Sequence, residues 1–313
     1  MSCIVSLDAG NRDQWNALVD DHPDGWWWHR AEWMEYCTAY REDSEHVSYM
    51  LTDDDGTPRV LQPLMIEGGE LKASGAPLPH PLGFNATHDH VALAADYLES
   101  VAMSFGATRS LCQVAATDSM IAAGWRDVSW QMQVVHLGAS TESLFAGLRK
   151  SYRHIVRDSA LTFLSSDSTM PSIGSLMGFA KTLHRTSAGH QTRPDDTWAM
   201  QRDWCSTGNG LVVVAFDAGG TAVGFAYLIV CKDRAYYASG ASIEPNVQHA
   251  IQWQAMAQLK VRGIRYYELG WQGQSTDDKG DNIEFFRRGF GGQAVRYPVA
   301  ELVLKQEAHA ALT

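Results

Sequence analysis

The segment FAGLRKSYRHIVRDSA, residues 145–160, concentrates the side chains of this chain best suited to hold an anion. Wound at 100° per residue, it places Phe145, Leu148, Tyr152, Ile155 and Val156 on one arc. Arg149, Lys150, Arg153, His154 and Arg157 fall beside and opposite that arc, which makes an amphipathic helix with a cationic face. Arg153 and Arg157 lie one turn apart, a spacing that suits two phosphates or a sugar carboxylate. The whole chain carries a formal net charge of −11. A local basic strip on an acidic protein points to a specific anionic ligand rather than to polyanions at large. A solvated surface helix with ordinary arginines is the competing reading.

Groups able to accept a proton are spread further apart. Glu268 ends the apolar run RYYELGW beside Gly270. A carboxylate desolvated there would hold its proton more tightly, which suits a base, although a structural carboxylate bonded to backbone amides fits the same residues. His184, His190 and Asp281 are further candidates, with His190 in the loop SAGHQTRPDD. Trp26, Trp27, Trp28 and Trp33, near Arg30, offer faces for sugar rings or bases, or simply a core. His80, His88 and His90 cluster in a stretch broken by Pro and Gly and without metal-ligand spacing, so no metal is expected. The five cysteines are isolated, which indicates neither a disulfide framework nor a zinc ribbon.

These residues must be positioned by an ordinary globular scaffold. The chain has 313 residues, 45% hydrophobic and 19% charged, enough for about two domains. It contains no apolar run near the roughly 20 residues a bilayer span needs, and MSCIVSLDAGNRDQW lacks the pattern of a signal peptide. No stable membrane insertion and a cytoplasmic location are therefore expected.

Along the first half, periodicity predicts a helix through WNALVDDH and a second from His29 to Tyr40. A hairpin of HVSYMLTD with PRVLQPLMIEG follows, then a helix over HVALAADYLESVAMSFGA and a strand in RSLCQVAA. The second half repeats the plan. It has the cationic helix, helices in MPSIGSLMGFAKTLHRTSA and PDDTWAMQRDWCSTG, and a meander through LVVVAFDAGGTAVGFAYLIVCKDRAYYASGA. A helix from Val247 to Val261 and the strand RYYELGW complete it. A mixed α/β (α+β) unit thus occurs twice, as domains 1–140 and 141–313, with a terminal strand at 294–305 able to join either sheet.

Four stretches carry a family resemblance: WWWHRAEWMEYC, LRKSYRHIVRDS, QHAIQWQAMAQLKVRGIRYYELGW and NIEFFRRGFGG. In this order and over nearly the full length, they resemble the FemABX family, whose members carry tandem acyltransferase domains of the GNAT superfamily. They also resemble GNAT-like proteins of surface-polysaccharide assembly. The resemblance implies two tandem GNAT-like domains. It also implies an acyl- or aminoacyltransferase that forms an amide on an amine-bearing acceptor: an amino sugar, a nucleotide-sugar or a peptide precursor.

The family's closing Phe-Lys step stands here as Phe286-Arg287. The family's lysine is thought to stabilise negative charge during transfer; arginine keeps the cation but is planar, bulkier and never neutral. The resemblance adds Arg287 and Phe286 to Glu268 as the candidate catalytic residues, and the reading of the residues themselves makes Arg30, Trp33, Arg153, Arg157 and His190 the candidate substrate contacts. No tightly bound cofactor is implied, only a donor co-substrate.

Acetyl-CoA-binding relatives hold the pyrophosphate on a glycine-rich loop before the crossover helix. Here ASGASIEPNVQHAIQW has one glycine, Gly240, placed early, and then Pro245. That difference favours aminoacyl-tRNA as donor, while the acidic net charge weighs against tRNA. An acyl-CoA-dependent N-acyltransferase and a non-catalytic module binding an anionic ligand remain the alternatives. No long heptad stretch marks the coiled-coil arm of some cell-wall members, which favours a smaller acceptor.

Overall fold

The computed structural model describes residues 2–73, 76–113, 126–274 and 276–303. The chain forms two compact units. The first takes the residues up to Ser129 together with those from Tyr297 on, and the second is Trp130–Arg296.

The first unit opens with β1 (Ser2–Ser6), α1 (Arg12–Asp21), a 3-10 turn at Trp27–His29 and α2 (Ala31–Tyr40). Two sheets follow. One has the order β1-β3-β4-β7, with β3 (Tyr49–Asp53), β4 (Pro58–Gln62) and β7 (Leu82–Gly83). The other runs β2 (Ser44–His46), β5 (Met65–Glu67), β6 (Glu70–Leu71), β8 (Arg109–Gln113), β17 (Val299–Val303) and β9 (Arg126–Asp127).

The expected hairpin is present from Tyr49 opposite Gln62 to Thr52 opposite Pro58. Its second arm does not continue. Pro63 has no amide to donate to the ladder, and Met65–Glu67 leaves as β5 for the other sheet. The strand expected over RSLCQVAA is seen as β8; its residues 114–116 lie outside the described ones. The helix α3 (His88–Ser104) begins at a capping box in which Thr87 accepts from the His90 amide and the His90 ring accepts from the Thr87 amide. The core gathers Trp15, Met34, Tyr49, Leu51, Leu61, Leu64 and Ala102 between these layers.

The second unit is built on one seven-stranded sheet in the order β11-β12-β13-β14-β15-β10-β16. Its first strand in the chain is β10 (Trp130–His136). The segment 145–160 differs from the single helix expected. It forms α4 (Thr141–Gly147) and α5 (Lys150–Arg157), separated by extended backbone at Leu148 (ψ 145°) and Arg149 (ψ 142°). The break has a tertiary cause: the Arg149 amide, freed from any helix, donates to the Gly289 carbonyl at 2.8 Å.

After β11 (Thr162–Ser165), α6 (Ile173–Ala188) and α7 (Asp195–Ser206), the predicted meander appears as β12 (Gly210–Phe216), β13 (Ala222–Cys231) and β14 (Arg234–Ser242). The crossover helix α8 (Val247–Val261) leads into β15 (Tyr266–Gln272), and α9 (Asp278–Arg288) follows. Tyr267 and Leu269 of β15 point to the α8 side, where they join Val213, Ala226, Leu228, Ile251, Ala255 and Leu259 in the core.

The terminal stretch serves both units: β16 (Gln293–Tyr297) is the edge of the second sheet, and β17 enters the first unit between β8 and β9. Residues 304 and 305 of the expected terminal strand lie outside the described ones. The turn into β16 uses Gly292 at φ +75°, where a Cβ would run into the Val134 carbonyl, so the closing GFGG motif has a backbone reason for its last glycine.

Candidate functional site

The strands β14 and β15 are parallel neighbours over three residues only, Arg234–Tyr236 against Tyr266–Glu268. Each strand is then claimed by another partner. Strand β14 stays on the β13 ladder to Ser242, and β15 follows β10 to Gln272 past a bulge at Gln133/Val134. The two strands therefore splay in the middle of the sheet, leaving edges that ladder bonds do not close.

A cleft of about 500 Å³ opens there, walled by Tyr236, Tyr237, Ser239, Gln248, His249 and Arg287. Burial pushes the Tyr237 phenol up to about 12, and the Tyr236 phenol in the same direction. Both tyrosines are thus neutral hydrogen-bonding groups at physiological pH.

Arg287, in the last turn of α9, reaches across to β15. Its Nη1 donates to the Trp271 carbonyl at 2.8 Å, and its guanidinium lies against Gly270, whose φ is +122°. A Cβ at Gly270 would stand 2.5 Å from the guanidinium carbon, so glycine is what lets the cation lie on the strand. Arg287 lines the cleft, and its charge acts on the phenols of Tyr236, Tyr237 and Tyr267. Its Nε is buried and has no hydrogen-bond partner among the described residues, as has Ser239 Oγ on the facing strand. A buried N–H left unpaired costs free energy unless a ligand or water supplies an acceptor.

One wall of the cleft is aromatic. Tyr152 of α5, His249 in the first turn of α8, and Phe286 and Phe290 form a packed group. Tyr152 lies 4.3 Å and Phe286 5.1 Å from the His249 ring, both edge-on. Arg149 ties this group together: it lies 3.6 Å over the Phe285 ring, donates to the Phe285 carbonyl and donates to Tyr152 Oη. His249 Nδ1 lies 3.2 Å from the Asn246 carbonyl, and burial lowers the affinity of its ring for a second proton. His249, Tyr236 and Tyr237 were not singled out by sequence. A lone histidine at a helix start carries no motif, and only the packing of α5 and α9 shows that it borders a cleft.

Of the sequence candidates, Arg287 and Phe286 border this cleft. Glu268 does not. It is 2% exposed, sits where β14 and β15 are still paired, and has Arg234 at 3.7 Å. Arg153 donates to the carbonyls of Ala146 and Leu148, so it finishes α4 rather than gripping a ligand. Arg157 is exposed, 5.9 Å over the Phe145 ring. The two do not make the paired phosphate grip that one continuous helix would have presented.

His190 is exposed and bonded to the Ala188 carbonyl; His184 meets Thr192 and Trp198. Asp281 is exposed in the first turn of α9. None of these three lines the cleft.

Arg30 and Trp33 belong to the first unit. Arg30 is held by Asp20 and Glu32, and Trp33 packs on the core with Trp28 and Tyr36 beside it. The histidine cluster disperses: His80 faces His29, His90 pairs with Asp53, and His88 starts α3. Among the described residues no group of three potential ligands could hold a metal ion, and no helix is long and apolar enough to cross a membrane.

Residues 143–282 match the family model of the acetyltransferase (GNAT) domain. The second unit is a GNAT acyltransferase domain. The fold of the whole chain is that of tandem GNAT proteins. It superposes on the crystal structure of FemX with a TM-score of 0.66 at 12% identity, covering 97% of this chain and 98% of that one. It is also similar to L-PGS from Bacillus licheniformis (TM-score 0.60, 10% identity, 96% and 94% covered). The same holds for a tandem GNAT protein from the clavulanic acid biosynthesis pathway (0.54, 12%, 96% and 98%). No curated protein matches the sequence.

In this GNAT domain the loop between β14 and α8 carries Glu244, Pro245 and Asn246, the last at φ +67° and without a side-chain cap. Glu244 and Asn246 line the same cleft. A carboxylate there would repel a pyrophosphate that a glycine-rich loop would cradle.

Proposed function

We propose that this acyltransferase joins an acyl or aminoacyl group to an amine at the β14–β15 splay, with Arg287 stabilising the oxyanion that develops on the donor carbonyl. The observation that carries the reading is the buried, unpartnered Nε of a guanidinium already fixed to the Trp271 carbonyl at the splay. A pre-oriented N–H is worth most when negative charge forms opposite it. The planar guanidinium can serve in this way without being able to act as a neutral amine.

Glu244 and Pro245 in the loop before α8 favour an aminoacyl ester such as aminoacyl-tRNA over acyl-CoA as donor. The FemABX resemblance of the four sequence stretches implies the same donor and an amine-bearing acceptor, and the fold shared with FemX is compatible with it. A donor of that size needs only its acylated end in a cleft of about 500 Å³.

The test offers the purified protein a mixed pool of radiolabelled aminoacyl-tRNA, and separately acetyl-CoA, at low and moderate salt. Salt-sensitive tRNA binding with loss of label from the tRNA is the expected result. Saturable acetyl-CoA binding would overturn the donor assignment. Arg287→Ala should cut transfer by at least about 10²-fold with the melting curve retained; unchanged transfer would remove Arg287 from the site.

A further inference from the structure

We propose that His249 is the general base of the transfer, taking the proton of the attacking amine on its Nε2. This deepens the reading of the splay cleft as the transfer centre and rests on it.

The argument starts from the tautomer. A backbone carbonyl can only accept, so the contact between Nδ1 and the Asn246 oxygen at 3.2 Å requires the proton on Nδ1. That leaves the lone pair on Nε2, for which no hydrogen bond is found among the described residues. The ring is gripped by Tyr152 and Phe286 and borders the same cleft as Arg287.

The groups facing it set its protonation. Arg149 on the α5 side, together with burial, disfavours the imidazolium, while Glu244 in the preceding loop is the acid of this cleft. Tyr236 and Tyr237 of β14 are neutral, and Arg287 of α9 adds a second positive charge. The four other candidate bases fail on position: Glu268 lies where the strands are still paired, and His184, His190 and Asp281 lie outside the cleft.

The step balances without a further reactant. The amine nitrogen bonds to the donor carbonyl carbon as the carbonyl oxygen becomes an oxyanion opposite Arg287. Nε2 takes the N–H proton. Collapse breaks the bond from carbon to the ester oxygen, and the imidazolium returns its proton to that leaving oxygen.

Two measurements decide the matter. In the transfer assay, His249→Gln should lower kcat by about 10²- to 10⁴-fold with little change in KM. It should also remove the acidic limb of the pH profile, and added imidazole should restore part of the rate. A His249→Gln protein with unchanged kcat and pH profile overturns the proposal, as does loss of rate without imidazole rescue in a variant of unaltered melting curve.

Diethyl pyrocarbonate with peptide mass spectrometry reads the base without any substrate. Carbethoxylation of His249 near neutral pH, declining only on the acid side of an ordinary histidine because burial opposes the second proton, is the expected result. Resistance of His249 to the reagent overturns the proposal. An unaltered protein that transfers from neither donor sinks the reading of the cleft, and the reagent still decides whether His249 offers a free basic nitrogen.

Discussion

Gly270→Ala tests the placement of the Arg287 guanidinium by a double-mutant cycle. At φ +122° an alanine occupies backbone territory that belongs to glycine, at a cost of about 1–3 kcal/mol. Its Cβ would also stand 2.5 Å from the guanidinium carbon and 2.7 Å from Nε, so the side chain must move and its bond to the Trp271 carbonyl breaks. A hydrogen bond from a charged group contributes about 1.5–3 kcal/mol, and the half-buried setting of Arg287 argues for the low end, about 1.5. The single variant should therefore lose about 2.5–4.5 kcal/mol, the sum of the two costs. In an Arg287→Ala background the second cost is already spent, and Gly270→Ala should cost only about 1–3 kcal/mol. The cycle should return a coupling of about 1.5 kcal/mol. The assay is urea denaturation of the four full-length proteins, following by hydrogen exchange and mass spectrometry the peptides of β15 and α9. Coupling below about 0.5 kcal/mol, the additivity expected of independent sites, would refute the placement of Arg287 on the strand.

Two further outcomes concern the first unit. Burial pushes the His29 ring down to about 3, so the native state holds it neutral, with Nδ1 accepting from the Trp26 amide and Nε2–H donating to the His80 carbonyl. The unfolded chain takes up a proton near its ordinary value of 6.5 and the native state does not, so stability falls as pH drops from 6.5 towards 3, by about 1.4 kcal/mol per unit. Urea midpoints of this unit between pH 7 and about 5 should show that slope, and His29→Gln should flatten it. On β17, burial would push the Glu301 carboxyl up, but hydrogen bonds from Arg126 and Arg109 outweigh it and hold the group below its ordinary 4.5. That stabilisation is whole above pH 4.5 and fades as pH falls through the depressed value. Glu301→Gln should cost about 2 kcal/mol at neutral pH, read as faster proteolysis within Val299–Val303; an unchanged cleavage rate would show that the clamp does not hold the strand.

Local signals and their limits divide clearly along this chain. The meander β12–β13–β14 is legible because apolar runs are punctuated by DAGG and KDR, with Gly220 and Lys232 both at positive φ. Helix α8 is legible because its apolar spacing stops before Gly263, also at positive φ. The break between α4 and α5 is not legible. Its cause is the Gly289 carbonyl, far along the chain, and the periodicity of 145–160 runs on through it. That one break dissolves the predicted partnership of Arg153 and Arg157.

Arg287 is reached from the sequence through a motif, but its contact with Gly270 depends on how β15 leaves β14. Glu268 shows the limit of reading burial as function: the same apolar strand that suggests a desolvated base also buries it away from the cleft. His249 shows the opposite limit, since nothing in QHAIQW distinguishes it until Tyr152 and Phe286 close around the ring.

The passage of the chain from β16 into β17 bears on the order in which the protein is made. Strand β17 lies inside the first unit's sheet, hydrogen-bonded to β8 on one side and β9 on the other. While the ribosome is still adding residues before Val299, the amides and carbonyls of Arg109–Gln113 have an open flank, a state prone to pairing with other chains. The GNAT domain, complete at Arg296, emerges before that flank can close. The amino-terminal unit is therefore begun first and finished last. A gene fragment cut near residue 140 would encode it without the strand that seals it.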